Sequence, residues 1–142
     1  MGKEISKGLK WTFFTNYIVS LVFGVLLFFL VETYLGWFGI PFTAPFVFGG
    51  LFGGALLGYA SASFIAWKQT EWESVKITVI MEVVFNMLGA FIFFYMNIAV
   101  WQLPSIFLYT KIMDLIYLIL FLGFLISFIF FYIQHEKEKK EK

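Results

Sequence analysis

The chain has 142 residues, of which 61% are hydrophobic, 23% aromatic and 13% charged, with a mean hydropathy of +0.89. Soluble domains carry about 45–50% apolar and about 25% charged residues, so a soluble domain, a disordered chain and a disulfide scaffold are all excluded. Ten lysines against nine acids leave a formal charge of +1, which gives no reason to expect a nucleic-acid partner.

Four continuous apolar blocks predict four membrane-spanning helices: Trp11 to Val31, Phe46 to Trp67, Ile77 to Val100 and Ser105 to Ile133. Each meets the about 20 residues needed to cross about 30 Å of hydrocarbon, and none alternates as barrel strands do. The first block follows a lysine-bearing start but is too long for a signal peptide and lacks a small-x-small cleavage site, so it reads as a retained span. The start Met1-Gly2-Lys3-Glu4-Ile5-Ser6 loosely fits a myristoylation pattern, although four spans anchor far more strongly than one acyl chain. Thr33 to Pro45 is apolar but broken by Gly36, Gly39, Pro41 and Pro45, and is expected to form an interfacial or re-entrant outer loop. The short link Lys68 to Ser74 predicts a hairpin between the second and third spans, and Pro104-Ser105 another between the third and fourth. The run His135 to Lys142 alternates charge and reads as a solvated helical extension or frayed end, leaving residues 1–134 as one all-α, four-helix transmembrane domain.

Trp11, Trp37, Trp67, Trp72 and Trp101 all fall near the expected span ends, where indole rings favour the headgroup level. Nine of the ten lysines lie on one side and only Lys111 on the other, which places both termini in the cytoplasm by the positive-inside rule, and a cell membrane is the expected location.

Polar side chains inside hydrocarbon need a partner or water, so they mark candidate sites. Counted from Trp72 at 1.5 Å per residue, Glu82 sits roughly 15 Å and Asn86 roughly 21 Å into the third span. Thr78, Glu82, Asn86, Gly89 and Asn97 share an arc of about 100°. A carboxylate there needs a proton, an amide, a bound cation or a water-filled crevice. One reading is a relay for a proton, a cation or a small cationic solute; the other is a hydrogen bond that holds two helices together. Nearer the outer surface, Glu32, Lys111 and Asp114 read either as interfacial ion pairing or as a cation vestibule above Glu82, with Thr110 and Tyr117 beside Asp114.

The second span carries Gly49, Gly50, Gly53, Gly54 and Gly58, a glycine zipper that lets another helix approach closely, in this chain or in a second copy. No lysine follows these glycines with phosphate-loop spacing. The 21 phenylalanines fall into no cofactor motif. The chain has no cysteine, no arginine and one histidine, so thiolate chemistry, a histidine triad and a multi-histidine metal site have no residues to work with. One aspartate cannot form a two-aspartate protease. The sequence therefore predicts a non-enzymatic protein without metal or cofactor, expected to translocate a proton, cation or small cationic solute. The alternative is a scaffold or assembly subunit, and a homo-oligomer or a larger membrane complex is expected either way.

Overall fold

The computed structural model describes residues 4–37, 46–101 and 108–140. The helices are α1 (Lys7–Phe29), α2 (Val31–Trp37), α3 (Phe46–Lys68), α4 (Trp72–Trp101) and α5 (Leu108–Lys140). Four of them, all but the short α2, are long and apolar enough to cross a membrane, which makes this a multi-pass membrane protein. Ser6 starts α1 by accepting the Leu9 N–H at 3.3 Å. The segment between the first two spans begins as α2, while Gly39, Pro41, Pro45, Pro104 and Ser105 lie outside the described residues.

Helix pairing follows the expected hairpin between the third and fourth spans but departs from the one expected between the second and third. α1 packs chiefly on α3 and α4 chiefly on α5, whereas α3 and α4 meet over a much smaller contact. The reason is glycine placement. A Cβ on Gly53 would come within 2.5–2.9 Å of the α1 backbone at Leu27 and Phe28. On α1, a Cβ on Gly24 would lie 2.9 Å from Leu57 Cγ. The α1–α3 pair is thus a backbone-close contact of the kind small residues permit in lipid. The α4–α5 contact is aromatic instead, with Phe121 tilted against Phe85 at 5.8 Å and stacked on Phe93 at 5.5 Å.

Each helix buries a narrow seam. On α1 it runs Leu9, Phe13, Asn16, Ser20, Gly24, Leu27; on α4 it runs Trp72, Val75, Val79, Glu82, Asn86, Ala90. The spacing of three and four residues keeps one face inward while the rest meets lipid. On α5 the buried positions Phe121, Phe128 and His135 recur every seven residues.

That seam corrects the reading of His135 as solvated, while the helical continuation is one of the two expected forms of the run. α5 continues to Lys140 without a break, and His135 is 1% exposed. Its ring stacks on Trp72 at 4.7 Å, donates from Nδ1 to the Phe131 carbonyl at 2.8 Å and accepts the Ser6 N–H at 3.3 Å on Nε2. Trp72 is likewise buried, not an exposed headgroup anchor, and its indole N–H donates to Glu136 at 3.1 Å. Lys76 reaches the same carboxylate oxygen at 2.7 Å. The N-terminal segment joins this end through the Ile5 N–H, which donates to the Thr70 carbonyl at 2.9 Å. The segment that leads into α1, the last turns of α5 and the α3–α4 link therefore meet at one end of the bundle.

This latch gives a direct prediction. In a chain without native cysteine, Ile5→Cys places a thiol at a position 7% exposed. Adding His135→Phe keeps an aromatic ring on Trp72 but removes the acceptor for Ser6. A lost hydrogen bond of about 1 kcal/mol should raise thiol labelling about fivefold; unchanged labelling would show that His135 does not hold the segment.

Candidate functional site

Three seams carry their polar residues to a common depth. Asn16 lies nine residues into α1, Ser63 five before the end of α3 and Glu82 ten into α4, so all sit roughly 8–15 Å from the end of the bundle where α1 starts and α5 ends. Asn16, Ser63, Glu82 and Asn86 are 4%, 0%, 1% and 2% exposed. The Asn16 amide donates to Ser63 Oγ at 2.9 Å, and the Ser63 hydroxyl donates to Glu82 Oε1 at 2.6 Å. From the next turn of α4, the Asn86 amide donates to the Glu82 carbonyl at 2.7 Å and reaches carboxyl Oε2 at 3.5 Å. The cluster thereby ties the α1–α3 pair to α4, and Tyr59 of α3 stacks on Phe85 of α4 at 3.8 Å.

Beside the cluster lies a cavity of about 30 Å³, room for one or two water molecules. Asn16, Ser20 and Asn86 form its polar wall, and Phe23, Phe85, Tyr117 and Phe121 close much of the remainder. It extends along α1 from Asn16 to Phe23, away from the end where α1 starts and α5 ends.

The other expected site residues are dispersed. Thr78 is half-buried one turn before Glu82, and the half-buried Asn97 donates to the Phe93 carbonyl of its own helix at 2.8 Å. Glu32 is exposed on α2, which packs on α1 and α3, whereas Asp114 is half-buried on α5. Among the described residues α2 and α5 make no direct contact. Asp114 Oδ2 has no hydrogen-bond partner among the described residues. Tyr117 stacks on Phe93 at 5.0 Å, and the side chain of Thr110 lies outside the described residues. No group of three or more histidine and acidic side chains suited to a metal occurs among the described residues.

The expected zipper divides. Gly53 makes the contact with α1, Gly54 would place a Cβ 3.5 Å from the Phe28 ring, and Gly50 and Gly58 face open space within 4 Å. The surroundings of Gly49 lie outside the described residues.

Asn16 and Ser63 were the missing partners of Glu82. Asn16 was open to the rule that singled out Glu82, since it is an amide five residues past Trp11. Ser63 stands in a run of small residues that reads as packing alone, and nothing in the sequence sets it apart from Ser61. No protein-family model matches this chain, and comparison with the curated proteins and with the solved structures gave no match.

Proposed function

We propose that this chain is a non-catalytic integral membrane protein that acts by binding other helices within the bilayer, as a subunit or assembly factor of a larger complex or as a homo-oligomer. The observation that carries this reading is the closed hydrogen-bonding of Glu82: the residue is 1% exposed and its carboxyl group is bonded within the chain to Ser63 and Asn86. A carboxyl so placed fixes the register of helices. The surface for a partner is the outward row of α3, where a Cβ on Gly50 or Gly58 would meet nothing within 4 Å among the described residues and one on Gly54 only an ordinary ring contact. In this reading the lysine-rich end faces the cytoplasm and the membrane is the cell membrane.

Gly58→Leu tests it, because the added side chain enters open space and leaves the monomer fold intact. Helicity by circular dichroism should be unchanged while the assembled species in detergent, measured by analytical ultracentrifugation, falls to monomer or loses its partner. Assembly that survives the substitution removes α3 as the contact surface.

A second reading, translocation of a proton, cation or small cationic solute past Glu82 and Asn86, draws support from the cavity that reaches Asn16, Ser20 and Asn86. In that scheme Thr78 and Asn97 supply neutral ligands along α4, and Glu32 and Asp114 attract cations outside. Reconstituted vesicles separate the two: the assembly reading expects flux no greater than in protein-free vesicles, and the carrier reading expects flux that Glu82→Gln abolishes.

A further inference from the structure

A second cavity, of about 250 Å³, opens between the start of α1 and the end of α3, and its walls are Lys7, Lys10, Trp11, Phe14 and Trp67. Its composition is unusual in one respect. Two cations border an otherwise aromatic slot that contains no carboxylate, and neither Lys7 nor Lys10 has an ion-pair partner among the described residues. Lys76, at the same end of the bundle, shows the contrast: it is paired with Glu136 at 2.7 Å. A third cation adjoins the slot, with Lys68 Nζ held 4.2 Å from the Trp67 ring centroid and 5.4 Å from that of Phe64.

Lys7 and Lys10 are three residues apart and so share one face of α1. They occupy its first turn, where the helix dipole adds to their positive field. Trp11 is 67% exposed on the same face, and indole rings mark the headgroup level. The slot thus holds positive charge at the height of lipid phosphates and aromatic surface just below, at the height of the first acyl carbons.

We propose that this slot is a binding site for an anionic phospholipid, with the phosphate between Lys7 and Lys10 and the upper acyl chain against Trp11, Phe14 and Trp67. The lipid supplies the counter-charge that the chain does not. It also covers the open side of the α1–α3 pair at the point where the pair leaves the membrane.

The test uses the whole protein in phosphatidylcholine vesicles, with its tryptophan fluorescence quenched by either brominated phosphatidylglycerol or brominated phosphatidylcholine. Each lysine near the surface favours an anionic lipid by about fivefold, so the pair should give roughly 25-fold preference for phosphatidylglycerol at low salt. Lys7→Gln with Lys10→Gln should reduce that preference to near unity, while Lys137→Gln with Lys139→Gln, a matched loss of charge elsewhere, should leave it in place. Three results would overturn the site: equal quenching by both lipids in the wild type, preference retained in the Lys7/Lys10 variant, or the same loss in the Lys137/Lys139 variant. The wild-type comparison needs no variant to fold. Displacement of the lipid by millimolar inorganic phosphate would show a free-anion site and overturn the lipid assignment.

Discussion

Gly53→Ala is expected to weaken the fold by about 3 kcal/mol, the upper end of the usual cost of overpacking. The added methyl would fall 2.5 Å from the Phe28 nitrogen and 2.8 Å from the Leu27 carbonyl carbon. Those are backbone atoms of a hydrogen-bonded helix and cannot rotate aside, so α1 and α3 must move apart along their shared length. Gly58→Ala should act in the opposite sense. It meets nothing within 4 Å and removes the helix penalty of glycine, which in water is up to about 1 kcal/mol. Reversible unfolding in mixed micelles reads both values on one scale. Equal midpoints for the two alanine variants would mean that Gly53 does not set the α1–α3 distance.

The opposite signs expected at positions 53 and 58 show why a repeat in sequence did not reveal which helix it serves. Gly50, Gly54 and Gly58 form the regular row, so spacing draws attention to them; the backbone-close contact belongs to Gly53, one residue off that row, against Leu27 and Phe28 of α1. Which face of a uniformly apolar helix turns inward is weakly specified by hydropathy, because lipid and protein core are equally apolar. The spans themselves were legible for the opposite reason: hydrocarbon thickness demands long apolar runs whatever their partners. Trp72 and His135 show the limit at the ends. Both are amphipathic residues that belong at an interface on average, and only the seven-residue ladder Phe121, Phe128, His135 hints that the histidine continues a buried seam. Glu82 stood out as an acid inside an apolar run, but the same rule applied to amides would also have placed Asn16 beside it.

The polar cluster makes a sharper demand than packing does, because it distinguishes an acceptor from a charge. Glu82→Leu should destabilise the bundle by about 2 kcal/mol, since the Ser63 hydroxyl, 0% exposed by residue, loses the oxygen it donates to at 2.6 Å. Glu82→Gln keeps an oxygen in the same place and should stay within about 1 kcal/mol of the wild type. A double-mutant cycle between Ser63→Ala and Glu82→Leu should return a coupling of about 1 kcal/mol, within the range for hydrogen bonds between membrane helices. A cycle that returns zero would mean that the Ser63–Glu82 bond does not hold α3 to α4. Flux then completes the test on the same proteins. If vesicles carrying the wild type conduct and those carrying Glu82→Gln do not, with both equally stable, the carboxyl group trades a proton or cation and the carrier reading replaces the assembly reading. If none conducts and stability follows the acceptor alone, Glu82 serves as the oxygen that locks one helix pair onto the other.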